Sequence, residues 1–134
     1  MIVADANLIA YLAMPGERTE DAEAVLGADP IWVAPLLWRS ELRSVVHKYV
    51  AQKLLTLAQA GAVLQRAESV MAGRESDVDS ARVLVLASRS GCSTYDCEYV
   101  ALAQELGVPL VTFDRALLRA FPQVALTPAQ FVAA

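Results

Sequence analysis

Residues 1–7, Met-Ile-Val-Ala-Asp-Ala-Asn, place an acidic residue at the end of a short apolar run. Residues 2–5 are typical of a buried strand, and the pattern over residues 7–13 predicts a helix that follows it directly. Residues 110–114, Leu-Val-Thr-Phe-Asp, repeat the arrangement with β-branched and aromatic residues. Both segments therefore predict a buried strand whose end carries an aspartate.

The rest of the chain alternates between strand-like and helical patterns. The remaining predicted elements are a strand over residues 31–34, a helix after Pro35, helices over residues 18–27, 56–72, 80–90, 93–106 and 114–121, an apolar patch over 124–126 and a last turn near 128–132. Residues 73–79 form a polar connection with room for a short strand, and the third strand has no assigned position. Because alternating strands and helices build parallel sheets covered on both faces, we expect an α/β fold. Its form is a three-layer α/β/α sandwich with a mainly parallel central sheet, in one domain over residues 1–134.

The composition is that of a globular chain without a membrane segment. Hydrophobic residues make up 56% of the 134 positions, which argues against disorder. Charges or prolines interrupt the apolar stretches before the ~18 residues that a membrane helix needs, and we expect no signal peptide. Cys92 and Cys97 match neither a zinc motif nor a disulfide framework, so we expect reduced thiols in a cytoplasmic protein.

Four carboxylates occupy positions that suggest a common site. Asp5 and Asp114 follow predicted strands, and sites in parallel α/β sheets form where the strands end. Glu41 and Asp96 lie on predicted helices, at the edges of apolar stripes. Because unpaired acids are costly to bury, four acids beside the core favour an acidic pocket. Such a pocket suits a hard divalent cation, Mg²⁺ or Mn²⁺.

Three of these acids also have a structural explanation at helix starts. Asp5 and Asp114 can each cap the helix that follows, because aspartate is favoured at that position. Asp96 follows Ser93 by three residues, which is a capping-box spacing. The helix starts alone could therefore account for these three carboxylates.

The helix after Pro35 carries the fourth acid and the only histidine. Glu41 borders the apolar stripe, and its structural explanation is an exposed ion pair with Arg39 or Arg43. We expect His47 to lie at the edge of the core rather than to act as a catalytic base. The sequence contains neither a glycine-rich phosphate loop nor a Gly-x-Ser-x-Gly motif. It therefore offers no motif for a nucleotide-binding P-loop or for a serine-hydrolase site.

Taken together, the segments around the acids resemble the PIN-domain ribonucleases, and most closely the small toxins of VapBC-type toxin–antitoxin pairs. The resemblance spans the whole chain and rests on residues 1–7, Glu41 in an amphipathic helix, Ser93-Thr94-Tyr95-Asp96 with residues 99–103, and residues 110–114. It implies an acidic quartet of Asp5, Glu41, Asp96 and Asp114. It also implies a role at the cofactor for Asn7, which follows the first acid, and for Thr112, which precedes the last.

The resemblance further implies what the quartet does. The expected activity is endonucleolytic hydrolysis of RNA phosphodiester bonds that depends on Mg²⁺ or Mn²⁺ and leaves 5′-phosphate and 3′-hydroxyl ends. Asp5, Asp96 and Asp114 are the expected direct metal ligands, and Glu41 either ligates or orients a water. The implied partners are a second copy of the chain in a homodimer and a cognate antitoxin that covers the pocket.

Two other classes of function compete with this interpretation. The net charge of −4 and the pI of about 4.9 count against nucleic-acid binding by bulk electrostatics and suit a partner with basic groups. The alternative is therefore a non-catalytic PIN-like module whose acidic pocket docks a basic partner without any metal. A metal-dependent phosphatase is less favoured, because the one Asp-x-Asp pair, Asp77 and Asp79, lies in the predicted polar connection and none follows a predicted strand.

Overall fold

The computed structural model describes residues 1–134 and contains five strands and eight helices. The strands are β1 (Ile2–Ala4), β2 (Trp32–Pro35), β3 (Glu75–Ser76), β4 (Leu110–Val111) and β5 (Ala125–Leu126). The helices are α1 (Ala6–Ala13), α2 (Thr19–Ala28), α3 (Trp38–Ala51), α4 (Leu57–Met71), α5 (Ser80–Ser90), α6 (Thr94–Leu106), α7 (Arg115–Ala120) and α8 (Pro128–Ala133). None of the helices combines the length and the apolar character needed to cross a membrane.

The five strands form one sheet in the order β3-β2-β1-β4-β5, and every neighbouring pair is parallel. The first strand of the chain is central, with Val3 aligned to Val33 on one side and to Leu110 on the other. A parallel sheet collects the ends of its strands at one edge. The residues that follow β1, β2 and β4 therefore meet there.

Helices cover the sheet in two groups, which confirms the three-layer α/β/α fold. Helix α6 packs on β1, β2 and β4, and α5 packs against α6. The other group includes α4, which contacts β2, together with α1 and α3. The core between these layers contains fully buried aromatic side chains from three elements, namely Trp32, Trp38 and Tyr99.

The strands differ from prediction mainly in length. Strand β4 ends at Val111 rather than at Phe113, because the Phe113 N–H is bonded to the Asn7 side chain instead of a neighbouring strand. The third strand is Glu75–Ser76, inside the polar connection that was expected to have room for one. Strand β5 was not predicted, since two residues are too few to show a period.

Candidate functional site

The four predicted acids meet at one cavity at the edge of the sheet where the strands end. The cavity has a volume of about 280 Å³ and is lined by Asp5, Ala6, Asn7, Glu41, Ser44, Val45, Lys48, Asp96 and Asp114. Asp5 and Asp114 follow β1 and β4, whereas Glu41 comes from α3 and Asp96 from the first turn of α6. Four separate segments thus supply one carboxylate each.

Asp5 is the most buried of these carboxylates, with 6% of its surface exposed. Its Oδ1 accepts a hydrogen bond of 2.8 Å from the Ala6 N–H, so the residue does cap α1, as its structural explanation required. Burial is the main reason that the pKa of Asp5 rises from 3.8 to about 7, and the charges of Glu41 and Asp96 add to the effect. The negative charges of Glu41 and Asp96 therefore disfavour the ionised form of Asp5.

Thr112 lies behind Asp5, is fully buried, and does not line the cavity. Its hydroxyl donates to Asp5 Oδ2 at 2.6 Å and accepts from the Asp114 N–H at 2.9 Å. Asn7, which does line the cavity, donates from Nδ2 to the same hydroxyl at 3.4 Å. Thr112 thus holds Asp5 and Asp114 in place. Of the two residues predicted at the cofactor, Asn7 and Thr112, only Asn7 lines the cavity.

Glu41 is fixed by a residue of the opposite helix layer. The buried Tyr99 hydroxyl donates a hydrogen bond of 2.6 Å to Glu41 Oε1. Partial burial raises the pKa of Glu41, the bond from Tyr99 opposes that rise, and the charge of Asp96 adds to it. The suggested ion pair with Arg39 is absent, because that guanidinium binds Glu68 and Glu75 instead.

Asp96 and Asp114 complete the acidic lining. Asp114 caps its helix as predicted, whereas only half of the predicted capping box forms at Asp96. The Ser93 hydroxyl caps α6 by accepting from the Asp96 N–H at 3.0 Å. Asp114 Oδ1 caps α7 by accepting from the N–H groups of Ala116 and Leu117. Burial first, and the nearby charge of Asp114 second, raise the pKa of Asp96. Asp114, like Asp5, therefore combines capping with a place in the cavity, whereas helix capping does not account for the Asp96 carboxylate.

Three polar residues of the site were not assigned to it by the sequence. Ser44 and Lys48 line the cavity three and seven residues after Glu41, which is the spacing of one helix face. Tyr99 follows Asp96 by three residues on α6 and could have been found by the same rule. By contrast, His47 is exposed rather than at the edge of the core, so that prediction was wrong.

The carboxylates fit a cation that keeps most of its own waters. No three acidic, histidine or cysteine side chains converge closely enough to form a complete metal cage. Mg²⁺ is commonly held by only one or two carboxylates, waters and substrate phosphates. Among the lining residues, Lys48 is the only base facing four acids. The raised pKa values of Asp5, Glu41 and Asp96 reflect buried negative charge that a cation would offset.

Comparison with known proteins gives a consistent family assignment. The family model described as PIN domain matches residues 2–122. Ribonuclease VapC3 of Pyrobaculum aerophilum is 34% identical over an alignment 134 residues long, which covers 95% of this chain and 98% of the relative.

Solved structures share the fold. A crystal structure of a protein from Pyrobaculum aerophilum has a TM-score of 0.79 at 21% identity, and the match covers 98% of this chain and 93% of that one. A toxin–antitoxin complex from Klebsiella pneumoniae has a TM-score of 0.69 at 18% identity, with coverage of 96% and 98%. FitAcB from Neisseria gonorrhoeae has a TM-score of 0.70 at 21% identity, with coverage of 96% and 99%.

Proposed function

The chain belongs to the PIN domain family, and from that premise we propose that its acidic cavity is the active site of a metal-dependent endoribonuclease, the toxin of a toxin–antitoxin pair. The observation that carries the proposal is the meeting of Asp5, Glu41, Asp96 and Asp114 at one cavity at the sheet edge. The name of the relative, a ribonuclease, supports RNA as the substrate. The PIN-like fold alone would support far less, because one fold hosts many functions.

The proposed cofactor is Mg²⁺ or Mn²⁺. Asp5, Asp96 and Asp114 are the proposed ligands, one or two of them bound directly and the others through waters of the cation, and Asn7 can hold a further water beside them. A divalent cation bound there supplies Lewis acidity that lowers the pKa of a water and offsets charge on the phosphodiester. Bound carboxylates remain ionised in its presence, which also removes the like-charge repulsion at Asp5.

The residues of the chain would orient the reactants. Glu41 Oε1 is occupied by Tyr99, which leaves Oε2 to accept a proton from the attacking water. The Lys48 ammonium lies in the cavity lining and offers positive charge to a substrate phosphate. Water oxygen forms the new bond to phosphorus while the bond to the 3′ oxygen breaks, and that oxygen takes a proton from solvent. The products carry a 5′-phosphate and a 3′-hydroxyl.

The test is cleavage of structured RNA by the purified chain in EDTA, Mg²⁺ and Mn²⁺. We expect cleavage only with metal, and at least a hundredfold loss in an Asp5→Asn variant, since removing one charge-stabilising group commonly costs about that much. Asp21→Asn is the matched control, because Asp21 is exposed on α2 and does not line the cavity. Parent-level cleavage by the Asp5→Asn variant would refute the site. Absence of both cleavage and Mn²⁺ binding would favour the metal-free docking module.

The proposed partner is a cognate antitoxin that inserts an arginine into the acidic cavity. An arginine guanidinium can bind a carboxylate with two hydrogen bonds and compete with the cation. A short arginine-containing peptide should inhibit cleavage, whereas the same peptide with citrulline, which lacks the charge, should not. Equal inhibition by the two peptides would contradict this mode of inhibition.

The second proposed partner is another copy of the chain, because the family resemblance implies a homodimer. Light scattering of the purified chain measures its molecular mass in solution and tests this.

A further inference from the structure

We infer that a second cavity, beside the acidic one, binds a single unpaired nucleotide of the RNA next to the cleaved bond. This inference rests on the proposed function and adds a substrate subsite to it. The cavity has a volume of about 370 Å³ and lies between the end of α1, the Pro15–Arg18 turn and α3. Its lining includes the rings of Tyr11 and Tyr49 and the charged side chains of Glu17 and Arg18.

Helices α1 and α3 line both cavities, and a third segment, Phe113–Asp114, connects them. Asn7 lines the acidic cavity, and Tyr11, one helical turn later on the same face of α1, lines the second. On α3, Lys48 lines the acidic cavity and Tyr49 the second one. Phe113, the residue before Asp114, packs edge-on against Tyr11 with ring centroids 5.2 Å apart. An RNA strand in the acidic cavity therefore has an aromatic site within reach of the adjoining nucleotide.

Arg18 is the cation of this second cavity, and its guanidinium has no acidic partner. The group lies 4.8 Å from the centre of the Phe113 ring and 5.5 Å from that of Tyr11. It forms no hydrogen bond or ion pair within the chain, unlike Arg39, which binds two glutamates. Its donors are thus free to bind a phosphate while the aromatic rings hold the guanidinium in position.

The chemistry of the cavity matches a nucleotide outside a helix. Unpaired bases stack on aromatic side chains and on arginine planes, whereas bases inside a duplex offer no free face. The acidic cavity itself repels phosphate, and its only basic lining residue is Lys48. The chain as a whole has a net charge of −4, which also disfavours phosphate. Arg18 therefore offers a favourable position to the phosphate of the neighbouring nucleotide in the RNA.

The experiment measures binding separately from cleavage. A Glu41→Gln background, which loses the proposed proton acceptor and keeps the three proposed metal ligands, is titrated in Mg²⁺ with a fluorescein-labelled single-stranded RNA and with the same RNA in a duplex. Arg18→Gln is compared with Arg89→Gln, which removes the same charge from α5, outside both cavities. We expect Arg18→Gln to weaken single-strand binding about tenfold and to lower the slope of log affinity against log salt by about 0.7. Duplex binding should change no more than in the Arg89→Gln variant.

A Tyr11→Leu variant removes one ring and should weaken single-strand binding without changing the salt slope. If Arg18→Gln binds the single strand as Arg89→Gln does, the subsite is refuted and Arg18 serves only to hold the turn after α1. Cleavage by the parent chain is measured in parallel. Cleavage without any Arg18 effect refutes the subsite alone, whereas no cleavage in any metal refutes the proposed function.

Discussion

The hydroxyl of Tyr99 lies 2.6 Å from Oε1 of Glu41 and joins α6 to α3 at the acidic cavity. Tyr99 is fully buried, and burial together with the charges of Glu41 and Asp5 raises its pKa well above the ordinary value of 10.0. The phenol therefore keeps its proton and always donates. Asp96 precedes Tyr99 by three residues, so both lie on one face of α6. That face therefore carries Asp96 and, through Tyr99, fixes the position of Glu41.

A Tyr99→Phe variant removes this hydroxyl and keeps the ring. We expect the free energy of unfolding to fall by about 0.5–1.5 kcal/mol, because a partly buried carboxylate loses its hydrogen bond. Cleavage should fall about tenfold as Glu41 gains freedom. Tyr95→Phe is the control, since Tyr95 is 64% exposed. In a Glu41→Gln background the added loss of cleavage should vanish, and an undiminished loss would show that Tyr99 does not act through Glu41.

The stability of the metal-free chain should fall with rising pH because of Asp5. Its pKa is about 7 in the folded chain against an ordinary 3.8, so the folded state keeps a proton that the unfolded chain releases. The free energy of unfolding therefore decreases between about pH 4 and pH 7 and levels off above that window. Denaturant titration in EDTA measures it. The Asp5→Asn variant should show a smaller decrease, and an identical pH profile would contradict the assignment.

Thr112 should matter through its hydroxyl. Thr112→Val leaves Asp5 Oδ2 and the Asp114 N–H without their shared partner, which should cost about 1–3 kcal/mol of stability and reduce cleavage. Thr112→Ser keeps the hydroxyl and should restore most of both. Thermal unfolding and cleavage rates are the measurements. Equal behaviour of the valine and serine variants would mean that the methyl group, rather than the hydrogen bonds, determines the effect.

Added Mn²⁺ should stabilise the folded chain. A ligand that binds only the folded state at a hundred times its Kd adds about 2.7 kcal/mol, which corresponds to a rise in Tm of about 5–10 °C at this chain length. Calorimetry with and without EDTA measures the rise. Asp96→Asn should abolish most of it, whereas Asp21→Asn should not. An equal rise in both variants would place the cation outside the acidic cavity.

Most helix boundaries could be predicted because the residues at the helix ends act locally. Thr56, Asp79 and Ser93 cap α4, α5 and α6 through their own side chains, and Gly91 and Gly107 end helices in left-handed conformations. By contrast, β3 and β5 have two residues each and exist only through pairing with neighbours. No local pattern reports such pairing, so a position was assigned for neither strand.

The acids of the site could be predicted because strand ends and helix faces restrict where they lie. Their partners could not be assigned in the same way. The bond between Tyr99 and Glu41 depends on how α3 and α6 approach the sheet, and the bond between Thr112 and Asp5 joins residues 107 positions apart. Proximity in sequence also suggested an ion pair between Arg39 and Glu41. In the folded chain, however, Arg39 pairs with Glu75 of β3 instead.

The central position of β1 has a consequence for the newborn chain. Residues 2–4 are synthesised long before Leu110–Val111, which form one of their two neighbouring strands in the sheet. Contacts between such distant segments close large loops and form late in folding. Asp114 is synthesised later still. A nascent chain that has not yet reached Asp114 therefore cannot assemble the acidic cavity, and a toxic activity would be withheld until that residue is in place.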